Sequence, residues 1–256
     1  MSVANNQTSR VFPYQSFIPF YFNGLGISNN ATTPNTKLNV ATGSCLDSTG
    51  TFQLSLSADV VVDATTNGLN GLDTGSLAAS TVYKVFLVSD PITQQASGAM
   101  ISTSATPLLP YGYSAYALIG YVTTDSSSHF LLGYWSDNDS ARRVFTYDAP
   151  IIALNAGTQT GYTGVALTSF VPPVANTQVN MYMLFAANAA GNAANLQGYN
   201  STGDQITVIA PVATGTANTT ANVNVLAQLN SSAPSIKYKV AAGSLSLYVC
   251  GYVFDL

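Results

Sequence analysis

The sequence predicts an all-β protein, and three observations lead to that fold class. Charged residues make up only 7% of the 256 residues, against about 25% in an average soluble domain. All eleven acidic residues are Asp and none is Glu, although Glu and Lys are typical of exposed helices and Asp, Asn and Ser of turns. Apolar and polar residues alternate with period two between turn residues, as in half-buried strands. We expect two β-sandwich domains of jelly-roll-like form, at residues 25–147 and 148–256, after an N-terminal arm at residues 1–24.

The first element is an aromatic segment at residues 11–22. Pro13 and Pro19 exclude a helix and a central strand, so we predict an extended arm or an edge strand. Two interpretations stay open: a strap over the core of its own chain, as chain ends often form, or an arm that docks on a neighbouring subunit. The aromatic side chains that would make these assembly contacts are Phe12, Tyr14, Phe17, Phe20, Tyr21 and Phe22.

Strands separated by turns follow in the first half of the chain. The pairs Asn67-Gly68 and Asn70-Gly71 predict tight turns. A Gly, Thr and Asn-rich stretch that begins at Ala149-Pro150 predicts the domain junction. The predicted strands lie at residues 37–40, 52–57, 60–62, 82–88, 115–122 and 130–135.

The second half repeats this pattern. Residues 186–196 are rich in Ala, but the interspersed Asn and Gly leave no apolar stripe, so we predict a loop there. Gly120-Tyr121-Val122 is echoed by Gly251-Tyr252-Val253, which suggests two related sandwiches. The predicted strands lie at residues 165–169, 179–187, 206–210, 222–229, 236–240 and 245–254.

Charge and hydropathy exclude two classes of partner. The net charge is −4, and phosphate backbones are bound by clustered Lys and Arg, so we expect no nucleic acid. We expect Arg142-Arg143 to pair with the nearby Asp137 and Asp139. The longest apolar run, residues 181–187, is far shorter than the roughly 20 residues that a membrane helix needs.

The first residues lack a basic cluster followed by an apolar core, so we expect no signal peptide and folding in a cytoplasm.

The residues that could carry chemistry do not form a recognisable catalytic set. His129 is the only histidine and ends the segment Asp-Ser-Ser-Ser-His, which is typical of a polar turn, whereas a triad draws its members from separate elements. The segment from Asp137 to Ser140 resembles the start of a calcium loop but lacks the later Gly and Glu. We expect no enzyme, no cofactor and no metal site, and reduced thiols at Cys45 and Cys250.

Glycan binding is an alternative that the composition keeps open. Sugars are bound by aromatic faces with fixed polar partners, and the chain has fifteen Tyr and one Trp. The same rings could instead fill cores and subunit interfaces, where Tyr is also enriched. The candidate glycan contacts are Tyr111, Tyr113, Tyr134, Trp135, Asp137 and Asp139.

One block of the chain resembles a recurrent block in structural proteins of tailed bacteriophages. Residues 70–90 read NGLDTGSLAASTVYKVFLVSD, residues 109–113 read LPYGY, and residues 118–125 read LIGYVTTD. Residues 29–38, NNATTPNTKL, fit the same block. The resemblance covers about residues 25–135 and implies a β-sandwich module of fibres and other exterior virion proteins, with no catalytic residues.

The resemblance implies a virion protein, folded in the host cytoplasm before assembly. Its role would be head decoration or a fibre subunit, acting through contacts with capsid or tail proteins. The low charge indicates a homo-oligomer, for which we expect a trimer. The alternative role is a receptor-binding tail protein that contacts a host surface glycan.

Overall fold

The chain folds into strands and turns. The computed structural model describes residues 22–92, 95–137, 142–174, 177–198, 206–209, 218–226 and 234–255. Within these ranges it has nineteen strands and no helix, so the all-β prediction is confirmed. The first eleven strands are β1 (Phe22–Gly24), β2 (Ile27–Asn29), β3 (Lys37–Val40), β4 (Gly43–Leu46), β5 (Gln53–Leu56), β6 (Val60–Asn67), β7 (Gly71–Leu72), β8 (Val82–Asp90), β9 (Gln95–Ser102), β10 (Ala115–Thr123) and β11 (Gly133–Asp137). The others are β12 (Arg142–Gly157), β13 (Thr163–Ala166), β14 (Gln178–Ala186), β15 (Ala193–Gly198), β16 (Ile206–Ile209), β17 (Asn218–Leu226), β18 (Ser235–Val240) and β19 (Ser244–Asp255).

The described strands form one large sheet and two small ones. The large sheet has the strand order β10-β8-β9-β7-β6-β3-β2-β11-β12-β19-β14-β17. The small sheets have the orders β1-β4-β5 and β13-β18-β15-β16. Most neighbouring strands are antiparallel, and β7 pairs in parallel with both β6 and β9.

The two small sheets cover different parts of the large one. Strand β5 contacts β8, β9 and β10, whereas β15 and β16 contact β17 and β13 contacts β12. Leu54 and Leu56 of β5, and Ala194 and Leu196 of β15, are buried in the same hydrophobic core as the inner side chains of the large sheet. This layering of sheet on sheet is the β-sandwich arrangement that the sequence predicted.

The long strand β12 runs across the predicted domain boundary between residues 147 and 148. Its first part pairs with β11 on one side and with β19 on the other. The register with β19 shifts between Thr146 and Ile151, so the exposed Ala149-Pro150 pair lies in an irregularity of the strand, where proline is tolerated. The sheet and the core are continuous across this point, and the division into two domains stays a prediction.

The repeated Gly-Tyr-Val motif has a structural counterpart. In β10 the register with β8 shifts between Leu118 and Gly120. In β19 the register with β14 shifts immediately before Gly251. Each glycine therefore follows a bulged residue, and Tyr121 and Tyr252, which come next, are both buried.

An aromatic cluster joins strands from the two halves of the chain. The Trp135 and Phe145 ring centroids are 4.9 Å apart, and those of Phe145 and Tyr252 are 5.2 Å apart. Tyr121 meets Phe254 edge-on at 5.2 Å. All these rings are buried, and each such pair adds about 0.5–1.5 kcal/mol beyond the area that it buries. The cluster consists of Tyr121, Trp135, Phe145, Tyr147, Tyr252 and Phe254.

Most predicted strands are confirmed, with shifts of a few residues at their ends. The turn after β6 is also confirmed: the Gly71 amide donates to the Gly68 carbonyl at 3.0 Å, and Asn70 has a φ of 60°. The loop predicted at residues 186–196 is wrong in its second part, because β15 begins at Ala193 and lies between β16 and β18. Strands β2, β4, β7, β9 and β12 were not predicted.

Lys237 and Lys239 share one face of β18, as their spacing predicts. The strand lies inside its sheet, between β13 and β15. The Lys239 ammonium lies 4.5 Å from the centre of the Tyr162 ring, which is a cation–π distance.

An ion pair on β3 and β6 predicts a pH dependence of stability. The Lys37 Nζ atom lies 2.8 Å from Asp63 Oδ2, and Thr65 donates to Asp63 Oδ1 from its amide and hydroxyl groups. The hydrogen bond from Lys37 and those from Thr65 lower the pKa of Asp63 to about 2. Because the pKa of Asp63 is lower in the folded than in the unfolded chain, its ionised carboxylate stabilises the folded state at pH values above the unfolded pKa. This stabilisation is lost as the pH falls from about 4 towards 2.

We expect Asp63→Asn to remove part of this acid dependence. Because both side chains are partly exposed, the difference should be about 1 kcal/mol or less. Urea unfolding of the wild type and the variant at pH 6 and at pH 2.5 measures it. An equal loss of unfolding free energy in both proteins would show that the pair contributes nothing.

Candidate functional site

The turn that contains Tyr111 and Tyr113 presents one aromatic ring to solvent. The Tyr113 amide donates to the Pro110 carbonyl at 3.1 Å, and Gly112 has a φ of +86°. Tyr111 is fully exposed. Tyr113 instead packs on a small buried cluster that includes Phe86, and its hydroxyl donates to a backbone carbonyl at 2.8 Å. Of these two predicted glycan contacts, Tyr111 exposes a ring face to solvent. Tyr113 packs under the turn and helps to hold it in place.

Tyr134 and Trp135 lie on opposite faces of β11, because successive side chains of a strand alternate. Tyr134 is 54% exposed, whereas Trp135 is 9% exposed. The Trp135 ring is enclosed by Phe145, Tyr252 and Phe254. The structure therefore corrects the candidate set: Trp135 is a core residue without a free ring face, and Tyr134 stays a candidate.

Tyr134 belongs to a row of side chains that crosses the outer face of the large sheet. It lies opposite Ser28 of β2, which lies opposite Asn39 of β3. Asn39 in turn lies opposite Val61 of β6. Directly opposed residues point to the same side of a sheet, with Cβ atoms about 4.5–5.5 Å apart. One tyrosine, a serine, an asparagine and an exposed valine therefore form one continuous surface, which we call the Tyr134 face.

A depression of about 300 Å³ lies on the Tyr134 face. Its volume is at the lower end of the range for ligand pockets, about 300–1,000 Å³. It is open to solvent on one side, and an aspartate at the start of β6 adds a carboxylate to its wall. The lining residues are Gly26, Ser28, Asn39, Ala41, Asp59, Val60 and Val61.

Two polar groups of this depression are held in place by neighbours. Asn39 Oδ1 accepts a hydrogen bond from Asn30 Nδ2 at 2.9 Å. Asp59 Oδ1 accepts one from the Thr42 amide at 2.8 Å. In each case one end of the side chain is fixed, so the other end, Asn39 Nδ2 or Asp59 Oδ2, is oriented for a further hydrogen bond.

The structure describes only part of the two predicted acidic glycan contacts, Asp137 and Asp139. Asp137 ends β11 and lies opposite Arg143 in register, and its side chain is outside the described residues. Asp139 is also outside them. Arg143 is buried, with its guanidinium donating to the Leu25 carbonyl at 3.4 Å. Arg142 is exposed and donates to the Gln178 side chain at 3.2 Å.

Phe22 is the only one of the six predicted aromatic contact residues of the arm that the structure describes. It begins β1, lies opposite Cys45 of β4, and packs against the hydrophobic core. The Arg143 guanidinium carbon lies 3.9 Å from the centre of the Phe22 ring, a cation–π contact. Phe22 therefore covers the core of its own chain. Phe12, Tyr14, Phe17, Phe20 and Tyr21 lie outside the described residues.

The segment that contains His129 is a polar turn, as predicted. The Ser127 and His129 amides donate to Asp125 Oδ1 at 2.8 and 2.9 Å, and the Asp125 amide donates to the His129 carbonyl. The His129 Nδ1 atom lies 3.7 Å from Asp125 Oδ2, with both side chains exposed. Through these contacts, Asp125 and His129 stabilise the turn.

The two cysteines are not bonded to each other. Cys45 is buried, and burial is the main cause that raises the pKa of its thiol to about 12, opposed by the charge of Arg143. Burial also raises the pKa of Cys250. Both thiols are protonated at neutral pH, and a protonated thiol is a poor nucleophile and metal ligand.

Ser28, Asn39 and Asp59 are candidate site residues that the sequence did not indicate. The period-two pattern of β3 predicts that Asn39 faces outwards. However, no local signal brings residue 28 beside residue 134, because that pairing joins strands that are distant in sequence. These residues become neighbours only when β2 inserts between β3 and β11.

The fold and these surfaces define an all-β protein that presents an aromatic turn and a polar sheet face to solvent. No helix of the described residues has the length and apolar character to cross a membrane. No group of three or more His, Cys, Asp or Glu side chains that could hold a metal ion occurs within the same residues.

Comparisons with known proteins found weak structural likenesses only. No family model and no curated protein matches the chain. A carbohydrate-binding module from Cellvibrio mixtus lichenase 5A, in complex with cellotriose, is 19% identical over 49% of this chain and 87% of its own, with a TM-score of 0.23. The Gx strain of infectious bursal disease virus gives 14% identity, 91% and 68% coverage, and a TM-score of 0.23. The VP2 subviral particle of that virus gives 14% identity, 91% and 69% coverage, and a TM-score of 0.19. Likenesses at this level define no family for the chain.

Proposed function

We propose that this chain is a non-enzymatic structural protein on the exterior of a tailed-phage virion, as a head-decoration protein or a fibre subunit. The observation that carries the proposal is an all-β fold with very few charges: seven basic and eleven acidic residues in 256. A surface with few charges suits permanent contacts, because charged residues are depleted at interface centres. The resemblance of residues 25–135 to exterior phage proteins supports the same role.

Exposed apolar side chains supply candidate contacts for such a role. Ile92, Leu108 and Tyr111 are each more than half exposed. Their two loops are tied together, since Ser114 donates to the Asp90 side chain at 2.8 Å and to a backbone carbonyl of β8. We assign this end of β8 and β10 to the interface with a second copy of this chain.

Quantitative mass spectrometry of gradient-purified particles tests the proposal. Hundreds of copies per particle indicate head decoration, and a few to tens indicate a fibre or receptor-binding protein. Protease treatment of intact particles should release or cleave the chain if it lies outside. A host cytoplasmic protein measured in the same preparation is the control for contamination. A copy number no higher than this control would contradict a virion role.

A homo-oligomer is the expected state of the isolated protein, and we expect a trimer. Few charges are available to keep a monomer surface dispersed. Light scattering coupled to size exclusion should give three times the mass of the chain. Tyr111→Ser should weaken the oligomer, whereas Ser55→Thr on the exposed side of β5 should leave it unchanged. A lone monomer at micromolar concentration would contradict the expectation.

Removal of residues 1–21 is expected to weaken oligomerisation or particle incorporation more than it lowers the melting temperature. The deletion leaves the Phe22 contact with Arg143 in place. Phe22 of β1 therefore still packs against the hydrophobic core. Each buried aromatic ring of the arm would contribute about 1.5–3 kcal/mol to docking. Thermal unfolding and incorporation are measured on the same variant. A much earlier melting transition with normal incorporation of the folded fraction would identify the segment as a strap.

Host glycan binding is the second candidate function. The specific observation in its favour is the exposure of the Tyr134 ring beside a depression that Ser28, Asn39 and Asp59 line in part.

A further inference from the structure

The Tyr134 face brings together an exposed aromatic ring, two neutral polar side chains and one carboxylate. The ring offers a flat surface for the C–H groups of a pyranose. Ser28 lies opposite Tyr134, Asn39 lies opposite Ser28 one strand further away, and Asp59 adds a carboxylate at the wall of the depression. Such a mixture of one ring and a few fixed polar groups is typical of small-ligand sites.

The polar groups of the face are oriented before any ligand arrives. Asn30, which holds Asn39, itself accepts hydrogen bonds from the Thr32 and Thr33 amides at 3.0 and 3.1 Å. Asp59 is held by the Thr42 amide. A side chain that is already ordered loses less conformational entropy on binding, so a weak polar contact contributes more to affinity.

The charges of the face favour a neutral ligand. Among the described residues, Asp59 is the only charged residue that lines the depression. Next to it, Lys37 and Asp63 neutralise each other at 2.8 Å. An anionic polymer would meet no cation in this lining, and a cationic one would meet a single carboxylate. Hydroxyl groups, by contrast, can both donate to Asp59 and accept from Asn39.

We propose that the Tyr134 face binds a neutral saccharide. The Tyr134 ring stacks on one sugar, Asp59 Oδ2 accepts from a hydroxyl, and Asn39 Nδ2 and Ser28 Oγ complete the polar contacts. This inference rests on the second candidate function and is independent of the particle copy number. It assigns the glycan site to the outer face of the large sheet instead of the Tyr111 turn.

The full-length protein, in its native oligomeric state, is tested on a printed array of neutral and acidic oligosaccharides. Titration calorimetry then measures affinity for the strongest neutral oligosaccharide. Tyr134→Ala should weaken binding about ten-fold or more, since loss of stacking costs at least about 1.4 kcal/mol. Tyr134→Phe keeps the ring and should bind within about three-fold. Ser28→Arg places a long cation on the face and should abolish binding.

Two matched variants distinguish this face from other surfaces. Phe52→Ala removes a different exposed ring, and Ser55→Arg places the same cation on an exposed position of β5. Both should bind within about two-fold of the wild type, as surface changes elsewhere do. Equal circular dichroism melting curves confirm that each variant is folded. The proposal is overturned if no neutral oligosaccharide binds at millimolar concentration, if only acidic glycans bind, or if Phe52→Ala loses binding and Tyr134→Ala keeps it.

Discussion

Replacement of Tyr252 by Ala is expected to lower the free energy of unfolding by about 3–5 kcal/mol, the range for large aromatic residues in cores. The side chain is fully buried and contacts Trp135, Phe145 and Phe254. Its removal leaves a cavity where β11, β12 and β19 meet. Urea unfolding followed by tryptophan fluorescence, at one fixed protein concentration, measures the change.

Tyr252→Phe is the matched control for that substitution. The Tyr252 hydroxyl is buried, and no hydrogen-bond partner for it occurs among the described residues. Burial raises the pKa of this hydroxyl well above its ordinary value, which keeps it neutral. Because an unsatisfied buried hydroxyl is costly, its loss should be neutral or stabilising by up to about 1 kcal/mol. A loss comparable to that of Tyr252→Ala would show that the hydroxyl has a partner.

The same experiment tests the predicted division into two domains. The aromatic cluster contains Trp135 from one side of the boundary and Tyr252 from the other. In urea unfolding, Tyr252→Ala should therefore lower the midpoint concentration of a single cooperative unfolding transition of the whole chain. Two separate transitions, of which only one shifts, would instead support two independent sandwiches.

Gly251→Ala is the second substitution with a large expected effect, about 3 kcal/mol or more, at the upper end for overpacking. An added Cβ would lie 2.2 Å from the Phe145 carbonyl oxygen, which belongs to the backbone of β12 and cannot turn away. Relief of this overlap requires β12 and β19 to separate next to the bulge in β19. Thermal and urea unfolding of the purified variant measure the effect, and loss of folded protein on expression would agree with it.

Gly164→Ala provides the control for the glycine substitution. Gly164 is an exposed residue of β13, and a Cβ added there meets no atom within 4 Å. Its stability should stay within about 0.5 kcal/mol of the wild type. Equal stability of Gly251→Ala and Gly164→Ala would mean that the close approach of β12 and β19 is absent in solution.

Strand β3 was predictable from its alternation, whereas strand β15 was not. In β3, Leu38 and Val40 are buried and their neighbours are partly exposed, as period two requires. Strand β15 is buried at five of its six positions, so its small and polar residues show no alternation and resemble a loop. The exposed Ala149-Pro150 pair indicated a junction, but pairing of β12 with β19 on either side of it continues the strand.

The candidate site was predictable only at its aromatic residue. Exposed Tyr is a recognisable glycan contact, and Tyr134 was identified from its type and its polar surroundings. The adjacent Trp135 could not also face outwards once the segment was a strand, because successive side chains alternate. The polar partners of Tyr134 depend on pairing between distant strands, about which local sequence holds no information.

The sequence by itself determined the all-β class, the turn at Asn70-Gly71, the polar turn at His129 and the low surface charge, because these follow from composition and from local backbone preferences. The tertiary structure alone decided that Trp135 and Phe254 share a core, that β12 crosses the predicted boundary, and that Ser28 lies beside Tyr134. These outcomes depend on which strands pair and in which register. Register is set by burial of one whole face against the rest of the chain, which no short segment of sequence specifies.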